Sequence, residues 1–384
     1  MREGHTRMLL SGNHALAYGV KFARPQVMPV YPITPQTPIL EKLSEFQAKG
    51  ELCSDLMTVE SEHSAMAACI AASLAGARVF TATSSQGLLL MHEMLHYATG
   101  AQAPVVMANV NRTIASPWGF WPDQTDSLSQ RDTGWIQYYS ESAQESLDTV
   151  IQAYWVAEKV RLPAMVIHEA FYVSHALEVV EVPSQELVDA YLPAYRPPHS
   201  LNPDKVESWG NVVTQEMYNR HRFNLGQAMD DSLQVASEAD ALWREFTGRY
   251  YGLVEEHYCE GAEIVVVAMG SLAGNVRLAV EELRKGALPI GFLKIKLFRP
   301  FPLRQVREIL AGIPRVIVLD RNFAPGTGGI LYQELKAAIF GVNNNTKVFG
   351  YLAGVGGTNV SPHHIISLVN EAMGSEPINI SEWR

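Results

Sequence analysis

Through the first part of the chain, short apolar runs alternate with segments whose apolar positions recur at helical spacing. Val27 to Tyr31 (VMPVY) reads as a short strand, and the turn signal PITP follows at once. From Thr37, TPILEKLSEF sets Ile39, Leu40, Leu43 and Phe46 on one face of a helix, with Pro38 tolerated in its first turn. DLMTVE, ending at Glu60, predicts the next strand, and SEHSAMAACIAASLAGA a helix whose small side chains demand close packing. ARVFTAT, APVVMANV and LPAMVIHEA predict further strands, and SSQGLLLMHEMLHYATG a turn followed by a helix. Strands spaced by helices of this length argue for βαβ units on a mainly parallel sheet.

From about Tyr191 to Gly248 the rhythm stops. PAYRPPHSLNPDK, rich in proline and polar groups, predicts an extended connection. The polar stretch after it, with Met, Leu and Trp at helical spacing, predicts one or two helices bridging domains. At Ala262 the alternation restarts with AEIVVVAMG and runs through LPIGFLKIKLF and PRVIVLDRN to KVFGYLAGVGG. The expected organisation is an α/β domain over 1–190, a linker with bridging helices over 191–255, and a smaller doubly wound domain over 256–384. No repeat of short period is visible.

Composition narrows the function classes. The 384 residues are 47% hydrophobic and 18% charged, enough for more than one core and unlike a disordered chain. A net charge of -10 without a basic stripe leaves no footprint for nucleic acid. Cys53, Cys69 and Cys259 lie far apart and form no CxxC pair, so neither a cluster-binding run nor a zinc ribbon is expected, and no metal site. MREGHTRMLLSGNHALAYG lacks the apolar stretch of a leader, and no apolar run reaches membrane-spanning length. The expectation is a soluble, cytoplasmic protein that contacts no membrane.

Candidate chemistry gathers at predicted strand ends. YPITPQTP presents Pro32, Thr34, Pro35, Gln36 and Thr37 beyond the carboxyl end of a strand, where open α/β sheets bind ligands; a plain turn capping a helix explains it as well. In VESEHSA, Glu60 and Glu62 open the alanine-rich helix, which is ordinary helix-end electrostatics. An enclosed carboxylate there can equally exchange a proton with a ring nitrogen of a cofactor. His63 reads as a hydrogen-bonding residue at the helix start. Gln86 lies in SSQG, a strand-to-helix junction able to meet an anion or another loop, but without the Lys-Ser/Thr pair of a P-loop.

The least regular segment is NRTIASPWGFWPDQTDSLSQRDTGWIQYY. Arg112 directly follows a strand, and its guanidinium suits bidentate capture of a carboxylate. Arg131 and Asp132 can pair to hold the loop, and the aspartates make no convincing metal site. Trp118, Phe120 and Trp121 either line a pocket or pack against a partner subunit. In the second domain MGSLAGN is not a dinucleotide fingerprint, so NAD is disfavoured. RNFAPGTGG fits close subunit packing as well as a ligand.

SGNHALAYG, YPITPQTPILEKLSEF, VESEHSAMAACIAASLAGARVFTATSSQGLLLMHEML, DQTDSLSQRDTGWIQ, MGSLAGNVRLAVEELR, LFRPFP, VLDRNFAPGTGG and AGVGG occur in this order along the chain. Together they resemble the alpha subunit of the multi-subunit pyruvate:ferredoxin oxidoreductase family. The resemblance implies a pyrimidine-type thiamine-diphosphate domain followed by a transketolase C-terminal-like domain. It implies thiamine diphosphate shared with a beta subunit, Mg2+ and [4Fe-4S] clusters in partner subunits, and coenzyme A as co-substrate. The implied partners are beta, gamma and delta subunits, in a dimer of the heteromeric unit, and ferredoxin or another electron acceptor.

By the same resemblance Glu62 corresponds to the catalytic glutamate that bonds the aminopyrimidine ring. Pro32, Ile33 and Gln86 fall beside the cofactor, and Thr34 and Arg112 on contacts to the substrate carboxylate. The implied reaction is oxidative decarboxylation of a 2-oxoacid to acyl-CoA and CO2, with pyruvate favoured. Trp118, Gly119, Phe120 and Trp121 depart from the smaller residues of pyruvate-acting members. They suit an aryl 2-oxoacid such as phenylglyoxylate, giving benzoyl-CoA with ferredoxin or NAD as acceptor, or else shrink the site for a small acid. A subunit that serves mainly assembly is the remaining alternative.

Overall fold

The computed structural model describes residues 5–202, 204–205, 209–341, 345–378 and 380–384. Met1 to Gly4, where the stretch read for a leader begins, and Pro203, in the predicted connection, lie outside the described residues. The first half runs β1 (His5–Ser11), α1 (Gly12–Ala23), β2 (Val27–Val30), α2 (Thr37–Ala48), β3 (Asp55–Thr58), α3 (Glu62–Leu74), β4 (Phe80–Thr83) and α4 (Ser85–Leu90). It continues through α5 (His92–Gly100), β5 (Val106–Asn111), α6 (Thr125–Leu128), β6 (Ile136–Tyr139), α7 (Ala143–Val160), β7 (Ala164–Glu169), β8 (Leu177–Pro183) and α8 (Gln185–Tyr191). After α9 (Gln215–Thr247) come β9 (Val254–His257), β10 (Ile264–Ala268), α10 (Leu272–Lys285), β11 (Ile290–Ile295), β12 (Leu297–Arg299) and α11 (Leu303–Leu310). β13 (Arg315–Asp320), α12 (Ile330–Ile339), β14 (Lys347–Leu352), α13 (Pro362–Gly374) and β15 (Ser381–Trp383) complete the chain.

The continuous apolar runs become strands buried on both faces, as parallel sheets require. In the first sheet β4, β5, β7 and β6 are parallel neighbours, and a bridge from Val27 to Val79 joins the parallel pair β2–β3 to its edge. The opposite edge is closed by β12, a strand from the second half of the chain, antiparallel to β6. The second sheet has the order β15-β14-β13-β10-β11-β9, with only β9 antiparallel to its neighbour.

The bridging stretch is one helix, α9. Thr214 caps its start, and it ends at Gly248, whose φ of 73° lets its N–H turn back to Arg244 O. Its second half buries Ala236, Ala239 and Trp243 in the core beside α7 and α8. Truncating a buried indole of this kind to alanine costs about 3–5 kcal/mol. A second core is shared by both halves: Met66, Leu95, Trp135 and Met165 pack in one cluster with Val265, Leu293, Val316 and Leu331. Charge also crosses this boundary. Lys294 Nζ lies 3.0 Å from both Glu145 oxygens and 3.4 Å from Glu255. Such a buried set adds little net stability but penalises any misalignment that would leave one charge alone. Among the described residues no helix is long and apolar enough to cross a membrane.

Candidate functional site

The carboxyl ends of β2, β4 and β5 are adjacent, so the turns that follow them converge. Gln36, fully buried, donates to Tyr31 O (3.0 Å) and Ala82 O (3.2 Å) and so pins the first turn onto β4. In that turn Pro32 and Thr34 are exposed and Ile33 is half-buried. Arg112, at the end of β5, is only 5% exposed. Its Nη1 donates to Thr34 O at 2.6 Å and its Nη2 to Gln86 Oε1, whereas its buried Nε has no partner. Burial lowers its pKa from the ordinary arginine value, and the nearby Asp126 opposes that shift. Ser85 Oγ lies 2.6 Å from Gln86 Oε1 and 2.5 Å from Thr113 O, fixing the junction to the loop beyond β5.

Glu62 is the first residue of α3, behind the Ser61 cap, whose hydroxyl accepts the Ser64 N–H at 3.2 Å. Its side chain is buried at 6% exposure, and no hydrogen bond or ion pair to its carboxylate forms among the described residues. It lies against Gly87, where a Cβ would overlap Glu62 Oε1 and sit 2.5 Å from Thr83 Oγ1. The Thr83 hydroxyl is itself buried without a partner among the described residues. Glu62, Gly87, Gln86, Arg112 and Thr34 therefore form one continuous cluster. An enclosed carboxylate without a partner, a glycine cradle and an orphaned hydroxyl fit the edge of a flat heteroaromatic ring that brings its own donors.

Trp118, Phe120 and Trp121 are 55%, 44% and 52% exposed. The Trp118 and Phe120 rings meet edge-to-face at 5.1 Å, with the Arg112 guanidinium 5.1 and 5.8 Å from their centroids, a cation–π arrangement. Trp121 turns away toward Phe171 (5.2 Å) and the second half of the chain, where a Cβ on Gly357 would come within 2.5 Å of its own Cβ. Arg131 and Asp132 approach only to 3.9 Å, with Asp132 exposed. His63 stands 3.8 Å from Glu93, outside the cluster. MGSLAGN and RNFAPGTGG meet the first half at Glu169, which accepts Ser271 N–H (2.9 Å) and pairs with Arg321 (3.0 Å).

One residue at the cluster went unrecognised in the sequence. Asp126, fully buried, accepts N–H groups from Ser85, Asn109, Asn111, Arg112 and Ser127. Burial pushes its carboxyl up to about 7 against those donors. A signal existed. Asn109 and Asn111 stand two apart in a strand buried throughout, so both amides point to one side and need a common partner. Among the described residues no group of His, Cys, Asp and Glu is placed to hold a metal ion.

The chain matches the family model for pyruvate flavodoxin/ferredoxin oxidoreductase, thiamine diphosphate-binding, over residues 18–240. It matches the model for pyruvate:ferredoxin oxidoreductase core domain II over residues 262–365. It is 45% identical over 370 residues to pyruvate synthase subunit PorA of Methanothermobacter thermautotrophicus, covering 96% of each chain. It is 49% identical over 356 residues to ketoisovalerate oxidoreductase subunit VorA of Pyrococcus abyssi, covering 91% of this chain and 89% of that one. Among solved structures, 2-oxoglutarate:ferredoxin oxidoreductase from Magnetococcus marinus aligns with a TM-score of 0.74 at 21% identity, over 96% of this chain and 65% of that chain. A split-gene transketolase aligns with a TM-score of 0.51 at 11% identity, over 94% of this chain and 98% of that one. The architecture is thus a pyrimidine-type thiamine-diphosphate-binding domain followed by a transketolase C-terminal-like doubly wound domain, as expected above.

Proposed function

The chain belongs to the pyruvate:ferredoxin oxidoreductase family as an alpha-type subunit, and on that premise we propose that it serves oxidative decarboxylation of pyruvate or a branched 2-oxoacid to the acyl-CoA. It does so within a multi-subunit complex whose other chains carry the iron–sulfur clusters, Mg2+ and the diphosphate end of the cofactor, with ferredoxin as acceptor. The observation that carries this reading is the cluster in which Glu62 lies without a partner on Gly87 while Gln86, one residue before, bonds Arg112.

Thiamine diphosphate, when bound, supplies the electron sink for loss of CO2. The side chains of this chain do the rest. Glu62 would hold the aminopyrimidine ring, keeping or passing a proton at its carboxylate, with Gly87 leaving room for it. Pro32, Ile33 and Gln86 lie on the turns that flank that position. Arg112 binds the substrate carboxylate: one of its N–H groups faces only an amide oxygen of Gln86, which a carboxylate oxygen can replace, and its Nε is free. Trp118 and Phe120 cover the guanidinium and keep water from it. Relatives of both the pyruvate and the ketoisovalerate type support a small aliphatic acid over an aryl one.

The test is anaerobic, coenzyme-A-dependent reduction of a viologen dye by the native complex, with pyruvate, 2-oxoisovalerate, 2-oxoglutarate and phenylglyoxylate compared at matched concentrations. Preference for pyruvate or 2-oxoisovalerate, in a complex that contains thiamine diphosphate, is the expected result. Preference for phenylglyoxylate would mean that Trp118 and Phe120 line the pocket and not merely cap it. No turnover of any of them by a complex of full composition would overturn the reading.

A further inference from the structure

The turn that carries Gln86 and Gly87 begins at Ser85, whose φ of 47° lies in the left-handed region where glycine is at home and a side chain is crowded. Ser85 is the first residue of α4, and among the described residues Ser84 makes no side-chain cap to it. Its own hydroxyl lies 2.6 Å from Gln86 Oε1 and 2.5 Å from Thr113 O. The hold on its backbone lies across the end of the sheet. Asp126 takes the Ser85 N–H at 3.0 Å, the Arg112 N–H at 3.3 Å, the Asn109 amide at 3.2 Å, the Asn111 amide, and the Ser127 N–H at 2.6 Å. One carboxylate therefore ties the backbone just before Gln86 to the backbone of Arg112, and so fixes both ends of the Gln86–Arg112 hydrogen bond. Fully buried and surrounded by donors, it is held within the protein and not presented to a ligand.

We infer that Asp126 is a positioning residue for 2-oxoacid binding, locking Ser85 in its left-handed conformation so that Gln86 and Arg112 meet in register; this rests on the function proposed above. An acid is needed because ionised it is acceptor-only, and protonated it still offers both oxygens as acceptors. An asparagine would turn an NH2 group toward at least one of the five N–H donors and leave it buried without an acceptor. Ser85 would then relax toward a right-handed or extended conformation, carrying Gln86 off Arg112. A glycine at 85 accepts the same φ without crowding but gives up the hydroxyl contacts to Gln86 and Thr113, so S85G alone sets the baseline against which its effect on D126N separates this role from a general stabilising one.

The test compares D126N, S85G and D126N/S85G, each in the full chain assembled with its partner subunits. In D126N the KM for the 2-oxoacid is expected to rise about tenfold or more, the equivalent of losing one good hydrogen bond to a charged group. Hydrogen exchange in the peptide spanning residues 84–90 should quicken, while exchange in α9 stays as it was. The double variant should bring the KM back to that of S85G alone. A D126N complex with wild-type KM and wild-type exchange overturns the inference, as does a raised KM that S85G leaves untouched. Should D126N fail to assemble, the double variant decides: recovered assembly and KM support the role, and renewed failure means that Asp126 holds the fold as a whole. Exchange at Ser85 reads this inference alone, whereas a wild-type complex inert toward every 2-oxoacid counts against the proposed function instead.

Discussion

At the carboxyl end of β13, Asp320 is buried against the start of α12, accepting the N–H groups of Leu331 (2.8 Å) and Tyr332 (3.1 Å). Gly329 lets the helix come that close, because any Cβ there would overlap the carboxylate. The next residue, Arg321, spends its Nη1 on Glu169 and Ser271 across the junction between the halves. The corresponding end of the first sheet uses the same materials: Asp126 is likewise buried and saturated by N–H donors. Yet Glu62, lying against Gly87, has no hydrogen-bond or ion-pair partner among the described residues, while the buried Nε atoms of Arg112 and Arg321 are alike in lacking one. A buried charge without a partner is costly. It persists where something outside the chain completes it. The second sheet end is thus a joint, whereas the first leaves a carboxylate unpartnered, the feature on which the proposed function rests, although their strands and helices follow one architecture.

Substitutions can break that contrast. Gly87→Ala should have the largest effect, lowering turnover about 100-fold because a displacement of ~1 Å at a reacting group costs that much. The added methyl meets Glu62 and also the buried Thr83 hydroxyl, 2.5 Å away, so overpacking of about 1–3 kcal/mol should lower Tm as well, and scanning calorimetry alongside the assay reads both. Gly329→Ala should lower stability alone. Here the methyl meets a carboxylate fixed by two backbone N–H groups, and overpacking of this kind costs about 1–3 kcal/mol. Tm should fall while the KM for the 2-oxoacid stays at its wild-type value. The smallest effect is a pH slope. Burial pushes the Asp320 carboxyl from 3.8 up to about 7, so the folded chain holds this proton more tightly than the unfolded one. Stability from this group is full below pH 3.8 and is lost as pH rises through about 7. Asp320→Asn should make that part of the urea-unfolding profile shallower, with Asp126, likewise raised to about 7, keeping a slope of the same sign.

Much of the fold was legible because its central strands are unbroken apolar runs: VMPVY became β2 and PRVIVLDRN contains β13, with ends moved by a residue or two. α7 was not. It buries Glu145, Asp148, Thr149 and Gln152 along with its apolar residues, so no clean apolar stripe marks it. Those polar side chains answer groups far away in the chain, among them Lys294 and Asp240. The crossing of β12 into the first sheet was equally hidden, since pairing between distant segments leaves no local pattern. At the site, Thr34, Gln86 and Arg112 were singled out separately, each from a place after a strand, and their mutual hydrogen bonds follow from those strands being neighbours. Asp126 escaped because its meaning lies in the donors around it and not in its own sequence context.

The most direct test of the account replaces Glu62 by glutamine in the native complex and follows coenzyme-A-dependent viologen reduction with pyruvate and 2-oxoisovalerate. Loss of a proton-handling carboxylate predicts turnover lower by at least about 100-fold, with the subunits still assembled and thiamine diphosphate still present. Unchanged turnover in an intact complex would contradict it, leaving this chain a scaffold and placing the chemistry elsewhere.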